Sequence, residues 1–291
     1  MLVVSAGDKG RNMMARLAIC ALGLMASLST GLGSPSASWA ASGNAAFDRA
    51  AAGSTSTVDH RAWDQLLKSH VIAGPDGLNR VAYSRLKSEQ AKLKAYVAAL
   101  EEVDPATLDK PEQFAFWVNL YNAKTIDVVL DKYPVKSIKD VSLGGGLKSL
   151  VTGGPWQAKI MQVSGVDLSL DDIENTILRP NFKDPRVHYA VNCASVGCPN
   201  LIADAYTGAE LEAMLEAGAK AFINSPHGIL IEGDKITASS IYDWFREDFG
   251  GSETAVFEHW RKYAAPQLAA KFDKIGKVAS YTYDWALADA K

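Results

Sequence analysis

The sequence has 291 residues, of which 48% are hydrophobic and 22% are charged, a composition that excludes a disordered or fibrous protein. It contains 30 lysine and arginine residues against 33 aspartate and glutamate residues, so its formal net charge is −3. Because no basic excess is available to neutralise phosphates, nucleic acid is excluded as a general partner. The three cysteines are too few for a disulfide-rich scaffold.

The first 40 residues have the features of a secretory signal peptide. Arg11 and Arg16 precede an apolar run, Leu17–Leu28, and small residues end the segment at Ala40. The run has 12 residues, fewer than the roughly 20 that span a bilayer as a helix. The pattern predicts cleavage after Ala40, export to the periplasm or the medium, and no stable membrane span after cleavage.

Residues 41–57 are predicted to be a flexible leader because they are mostly Ala, Gly, Ser and Thr, and residues 58–291 are predicted to form one domain. Periodicity, caps and breakers predict its elements. In chain order these are a helix from Asp59 to His70, a strand at Leu78–Tyr83, a helix at Leu86–Val103, a helix that begins at Pro111 and ends at Tyr133, a strand at Gln157–Val163, a helix at Asp171–Leu178, a strand at Arg186–Asn192, a helix from Thr207 to Phe222, a hairpin of Ile229–Ile231 and Lys235–Thr237, two helices and a last strand at Val278–Tyr283. This mixture predicts a single α/β (α+β) domain, with several helices around a small, mainly antiparallel sheet.

Reactive and charged side chains are concentrated between residues 171 and 201. Glu174 lies on a predicted helix, and Cys193 follows a predicted strand. Arg186, His188 and Asn192 share one face of that strand. A buried polar face needs partners, so this face either lines a cleft or is satisfied by acids such as Glu174. For Arg186 alone, a structural ion pair is the commoner arrangement.

Several short motifs resemble those of the domain of unknown function 547 (DUF547) family. The motifs are Phe116–Asn122, Leu170–Glu174 with Ile177–Arg179, Asp184–Cys193, Cys198–Leu201 and Tyr283–Trp285. The resemblance covers roughly residues 80–285, and the order of the motifs makes it more specific than any one of them. It implies a DUF547-like domain and an exported location more firmly than a reaction. The chain departs from the family pattern at Asn175, where the family usually has a histidine, and asparagine cannot act as a general base.

Cys193 is the candidate nucleophile of a cysteine-dependent hydrolase or transferase with a papain-like arrangement. Such a site needs a base and an orienting group, for which His188, Glu174 and Asn192 are the candidates. Along an unbroken strand, His188 would lie roughly 16 Å from Cys193 at about 3.3 Å per residue. The chain therefore has to fold back, or His227 has to supply the base.

Other uses of the two cysteines stay open. Cys193 and Cys198 suit a structural disulfide in an exported chain, which favours a non-catalytic periplasmic binding or scaffold protein. They also suit a redox-active pair, although four residues separate them in place of the two of a thioredoxin-like motif. Zinc would have only these cysteines and His188, whereas a closed site takes four ligands. No metal and no cofactor are therefore predicted.

Four further residues are candidates for binding a small molecule or peptide. Asn119 and Asn122 share a face of the long predicted helix, Arg186 lies on the polar strand face, and Trp156 follows a glycine-rich loop. Buried structural amides are the commoner use of such asparagines. The loop begins with Gly144–Gly146 and has no following Gly-Lys-Ser/Thr, so it is predicted to be mobile rather than a phosphate cradle.

Overall fold

Helices and three small sheets make up the fold in the computed structural model, which describes residues 45–143 and 154–290. The helices are α1 (Arg61–His70), α2 (Tyr83–Leu86), α3 (Gln90–Glu101), α4 (Lys110–Lys132), α5 (Leu170–Asp172), α6 (Arg179–Phe182), α7 (Val187–Ala190), α8 (Leu211–Ile223), α9 (Ile241–Trp244), α10 (Glu253–Tyr263) and α11 (Pro266–Ile275). A π-helical segment, Ile173–Leu178, joins α5 to α6, and 3₁₀ turns cover Lys87–Glu89, Pro105–Thr107, Ile138–Asp140 and Arg246–Phe249. Within these residues, no helix is both long and apolar enough to cross a bilayer.

The strands form hairpins, with one additional parallel strand. They are β1 (Val71–Ala73), β2 (Asn79–Val81), β3 (Met161–Val163), β4 (Val166–Leu168), β5 (Ile229–Glu232), β6 (Lys235–Ser239) and β7 (Ser280–Thr282). The pairs β1–β2, β3–β4 and β5–β6 are antiparallel, whereas β7 runs parallel to β6 with Ser280 opposite Thr237. The mixed α+β class and the mainly antiparallel pairing are confirmed, but the described strands form three separate sheets instead of one.

Helix α4 lies in the middle of the larger hydrophobic core. Asp109 begins the helix by accepting a hydrogen bond from the Glu112 N–H at 2.9 Å, and Pro111 occupies the first turn, where a backbone N–H is not needed. Buried residues lie all round the helix, as is typical of a helix in a protein interior. The long helix predicted from Pro111 is therefore confirmed.

Helix α7 lies between two hydrophobic cores. Val187 and Ala190 belong to the core around α4, whereas Tyr189 belongs to a second, aromatic core that includes Tyr242 and Trp260. Since the short helix is anchored on both sides, the side chain of the intervening residue has a fixed position. That residue is His188, which is 3% exposed.

The strand predicted at Arg186–Asn192 is wrong, because most of this segment forms α7. The Asp184 carboxylate accepts a hydrogen bond from the N–H of residue 186 at 2.9 Å, and Pro185 stands in the resulting turn. The alternating apolar residues of this segment face two different cores rather than one face of a sheet. The roughly 16 Å that a strand would place between His188 and Cys193 therefore does not apply.

The described part of the predicted flexible leader, residues 45–57, contacts α4. The Phe47 side chain is 2% exposed, and its ring centroid lies 5.0 Å from that of Trp117. The Arg49 carbonyl accepts a hydrogen bond from Gln113 Nε2 at 2.7 Å. One large apolar side chain therefore anchors a segment that otherwise consists mostly of small residues. The predicted signal peptide and the loop at Gly144–Gly146 lie outside the described residues.

Candidate functional site

Glu174 reaches the candidate site from an irregular helical turn. Ser169 and Asp172 form a capping box at the start of α5, in which each residue's N–H donates to the other's side chain, at 3.1 and 2.6 Å. The chain then widens into the π-helical segment Ile173–Leu178, a geometry that is frequent at functional sites. Burial raises the pKa of the Glu174 carboxyl, and the Tyr121 hydroxyl donates to its Oε2 at 3.2 Å.

His188 is held between two carboxylates. Its Nε2 lies 2.7 Å from Oδ2 of Asp248, and its Nδ1 lies 3.8 Å from Oε1 of Glu174. The imidazole also stacks on the Phe245 ring, with the centroids 4.1 Å apart. Its orientation is therefore set by contacts on its edge and on its face.

Asp248 joins His188 to Arg179. The guanidinium donates to both carboxylate oxygens, with Nε 2.5 Å from Oδ2 and Nη2 3.0 Å from Oδ1. Burial alone would raise the pKa of Asp248, but the hydrogen bonds from His188 and Arg179 outweigh it and lower that pKa to about 2. Asp248 is therefore an anion at neutral pH and binds two donors at once.

Glu174 and His188 line a cleft of about 190 Å³ that has aromatic walls. Trp156 meets Trp285 edge to face at 5.6 Å between centroids, and Trp244 stacks on Trp285 at 5.8 Å. The Trp244 side chain is about half exposed. A cleft of this size and composition suits a small molecule or a single side chain of a peptide.

A disulfide between Cys193 and Cys198 lines the same cleft. Cys193 is partly exposed, whereas Cys198 is 5% exposed. The Tyr283 hydroxyl lies 2.9 Å from Cys193 Sγ and 3.1 Å from Cys198 Sγ, and Ser195 Oγ donates to that hydroxyl at 3.1 Å. The predicted Cys193–Cys198 bridge is therefore present, and the sulfur atoms lie in a small hydroxyl network.

The structure brings five of the predicted site residues together, since the cleft is lined by Cys193, Cys198, His188, Glu174 and Trp156. Both ring nitrogens of His188 face carboxylates, and the contacts among the described residues include no hydrogen bond from His188 to a sulfur atom. The alternative base, His227, lines a different cavity of about 580 Å³. A papain-like contact between cysteine and histidine is thus not formed in the bridged state.

Arg186 and Asn119 do not line the cleft. Arg186 forms ion pairs at 2.6 Å with Asp184 and with Glu212, which corresponds to the structural alternative for this arginine. Asn119 is buried, and its side chain bonds both polar groups of the Tyr206 backbone, at 2.7 Å to the carbonyl and 3.0 Å from the N–H. The polar groups of both side chains are engaged within the protein.

Asn122 and Asn192 also lie outside the lining of the cleft, but they hold the segment that carries Cys193. Asn122 donates to the Ala190 carbonyl at 2.9 Å and accepts from the Asn192 N–H at 2.8 Å. Asn192 in turn donates to the Pro199 carbonyl at 2.7 Å and accepts from the Ala194 N–H at 2.8 Å. Both amides therefore support the site from behind.

Sequence patterns assign no role in the site to Asp248 or Tyr283. Asp248 lies in the 3₁₀ turn Arg246–Phe249. The next residue is Gly250, whose φ of 98° is a left-handed conformation that favours glycine. No motif marks the aspartate as a partner of a histidine that is 60 residues away. Tyr283 belongs to the last family-like motif, which was the one available signal for it.

Asn175, the residue at which the sequence departs from the family-like motif, lines the cleft. It donates to Asp171 Oδ1 at 2.8 Å and accepts from Arg179 Nη1 at 2.6 Å, so it bridges an acid and the guanidinium.

Across residues 45–143 and 154–290, no group of three or more His, Cys, Asp and Glu side chains is arranged to hold a metal ion.

No curated protein and no solved structure matches the chain. The family model described as "Protein of unknown function, DUF547" matches residues 105–223. That segment contains α4, Glu174, His188 and both cysteines of the bridge, whereas Asp248 and Tyr283 lie beyond it. The predicted resemblance is thereby confirmed over residues 105–223.

Proposed function

We propose that the protein is exported and that its cleft binds a small molecule or a peptide, on which reduced Cys193 acts as the nucleophile of a cysteine-dependent hydrolase or transferase. The position of Cys193 carries the proposal, because it is the more exposed cysteine and lines the same cleft as Glu174 and His188. Export is supported by the signal-like residues 1–40 and by the disulfide, since bridges persist mainly in oxidising compartments.

Reduction of the bridge frees Cys193 to attack the carbonyl carbon of an ester, an amide or a thioester. The thiolate forms a bond from sulfur to the acyl carbon, the bond to the leaving group breaks, and the leaving group takes up a proton. Water in a hydrolase, or a second nucleophile in a transferase, then displaces the sulfur. The Tyr283 hydroxyl, 2.9 Å from Cys193 Sγ, is placed to stabilise the thiolate by a hydrogen bond.

Glu174 is suited to carry the proton in both steps. Its raised pKa brings the carboxyl closer to the neutral range than that of an exposed glutamate, which improves proton transfer in either direction. The Tyr121 hydroxyl fixes one carboxyl oxygen, and His188 lies 3.8 Å from the other. His188 is a positioning residue in this scheme, held by Asp248.

Reduced Cys198→Ser protein is expected to be acetylated on Cys193 by an aryl acetate such as 4-nitrophenyl acetate. The phenol should be released in a burst that precedes slower turnover. Glu174→Gln should lower the acetylation rate by about 100-fold, the scale of general acid–base catalysis. Glu258→Gln changes an exposed glutamate of α10 and should leave the rate unchanged. Peptide mapping by mass spectrometry locates the acetyl group, and absorbance follows the burst. Acetylation that is no faster than in denatured protein would contradict the proposal.

A non-catalytic periplasmic binding or scaffold protein with a structural bridge is the second candidate function. The observation in its favour is that the sulfur of Cys193 is bonded to Cys198 and that no histidine forms a hydrogen bond with it among the described residues. This candidate predicts that neither cysteine reacts with an alkylating reagent before the protein is both reduced and unfolded. Alkylation of folded protein, with and without prior reduction, therefore separates the two functions.

A further inference from the structure

The two cysteines of the bridge both line the cleft, but they differ in their exposure. Cys193 is partly exposed, whereas Cys198 is 5% exposed. A thiolate that enters the cleft therefore reaches Cys193 first, and its attack there makes Cys198 the leaving group. The difference in exposure therefore determines which sulfur is attacked. The choice of sulfur is one of the factors that set the rate of thiol–disulfide exchange.

The buried sulfur has hydrogen-bond donors in place for the charge that it would acquire. The Cys193 N–H donates to Cys198 Sγ at 2.9 Å, and the Tyr283 hydroxyl lies 3.1 Å from the same atom. Hydrogen bonds to an ionised acceptor are about twice as strong as those between neutral groups. They therefore favour departure of the Cys198 thiolate, since a more stable leaving thiolate departs faster.

A single hydroxyl can also serve the exposed sulfur. The Tyr283 hydroxyl is 2.9 Å from Cys193 Sγ, and Ser195 Oγ lies 3.1 Å from both that sulfur and the Tyr283 oxygen. Burial raises the pKa of Tyr283, so the phenol keeps its proton at neutral pH. The same proton can therefore turn to whichever sulfur carries the negative charge.

The loop between the two cysteines keeps its shape through contacts that do not involve sulfur. The Val196 N–H donates to the Ala286 carbonyl and the Gly197 N–H to the Asp284 carbonyl, both at 2.8 Å. Asn192 clamps the two ends of the loop through its bonds to Ala194 and Pro199. A bridge across so short a loop adds only about 2 kcal/mol in the chain-entropy estimate. Its opening is therefore compatible with a folded protein.

We propose that the Cys193–Cys198 pair is a redox-active disulfide that exchanges electrons with a thiol substrate in the cleft. A substrate thiolate attacks Cys193 Sγ, a mixed disulfide forms, and the bond between the two cysteines breaks with its electron pair on Cys198. A second substrate thiolate attacks the substrate sulfur of the mixed disulfide and releases the Cys193 thiolate. Two substrate thiols are oxidised to one disulfide, the protein pair is reduced by two electrons, and the two protons end on its cysteines.

The aromatic walls of the cleft favour a thiol with apolar flanking groups, such as cysteine in an apolar peptide. Charges of both signs lie around the cleft, since Asp171 and Glu174 line it and Lys139 Nζ lies 5.0 Å from the centroid of the Trp285 ring. Arg179 is paired with Asp248 and also donates to Asn175, which lines the cleft. The three tryptophans give an apolar surface for the flanking groups of the substrate.

The full-length protein without its predicted signal peptide is equilibrated in mixtures of reduced and oxidised dithiothreitol, and alkylation reports the fraction of open bridge. The bridge should open and close reversibly while the circular dichroism spectrum stays native. The reduced protein should react with the disulfide of cysteine benzylamide about tenfold faster than with that of cysteine methylamide, because these probes differ mainly in an aromatic group that the tryptophans can contact. The difference should be absent in urea-unfolded protein. Reduction that occurs only with unfolding would overturn the proposal, and equal rates with the two probes would overturn the substrate class.

Variants test the roles of the individual groups. Reduced Cys198→Ser protein should accumulate a mixed disulfide with cystamine on Cys193, which the unaltered protein resolves. Tyr283→Phe should slow opening of the bridge about tenfold, as expected for the loss of one hydrogen bond to a charged sulfur. Tyr281→Phe is the matched control, because that nearby hydroxyl has no hydrogen-bond partner among the described residues. An unchanged rate in Tyr283→Phe would contradict the role of the hydroxyl.

The two proposals share Cys193 but fail separately. Acetylation of Cys193 in the Cys198→Ser protein tests the acyl chemistry without any bridge. Reversible opening of the bridge in the unaltered protein tests the redox chemistry without any acyl donor. A bridge that resists reduction in the folded state, together with rapid acetylation, would leave the hydrolase or transferase standing alone. The opposite pair of results would leave only the exchange activity.

Discussion

Asn122→Ala is expected to lower the free energy of unfolding by about 3 kcal/mol, because it leaves two buried backbone groups without partners. Asn122 is 2% exposed and bonds the Ala190 carbonyl and the Asn192 N–H. An unsatisfied buried group costs about 1–3 kcal/mol, and the substitution also leaves a small cavity. Urea unfolding, followed by tryptophan fluorescence under non-reducing conditions, measures the change.

Thr125→Val on the same helix is the matched control. Thr125 is fully buried like Asn122, but its hydroxyl has no hydrogen-bond partner among the described residues. Replacing that hydroxyl with a methyl group of similar size should leave the stability unchanged or raise it. If the two variants lose the same stability, a general intolerance of α4 to substitution explains the result and the hydrogen-bond account of Asn122 fails.

Much of the fold could be predicted from local signals. The helix that begins at Pro111, the helix through Glu174 and the hairpin around Gly233 follow from caps, periodicity and turn residues, and the structure contains each of them. The segment at residues 186–192 could not be assigned this way. Every second residue is apolar because Val187 and Val191 pack into one core and Tyr189 into the other. This tertiary arrangement produces the same period of two as a strand.

The candidate site was predictable only in part for a similar reason. Glu174, His188 and Cys193 are close in the sequence, so their density alone indicated a site, and the structure does bring them into one cleft. Asp248 lies 60 residues after its partner His188, and Tyr283 lies 90 residues after its partner Cys193. Only tertiary structure brings them to their partners. The role of the asparagines could not be read from residue type, because an amide suits a ligand and a backbone group equally well.

Asp248→Asn is expected to lower the free energy of unfolding at neutral pH by about 2 to 3 kcal/mol, because it removes the anion that binds two donors. An amide can accept from one of these donors, but its NH₂ group then faces the other. His188 is 1% exposed and Arg179 is 10% exposed at the side chain, so water cannot readily replace the lost oxygen. Denaturant unfolding at a series of pH values measures the effect.

The pH dependence of this difference identifies its cause. The folded pKa of Asp248, about 2, lies below the unfolded value, which is about 4. The stability from the carboxylate is therefore present above about pH 4 and is lost as the pH falls through about 2. The amide does not titrate, so the gap between the two proteins should narrow over this range. Asp243→Asn, at an exposed aspartate paired with Arg246, should change stability little at any pH. A gap at Asp248 that stays constant down to about pH 2 would show that shape, not charge, is what the site requires.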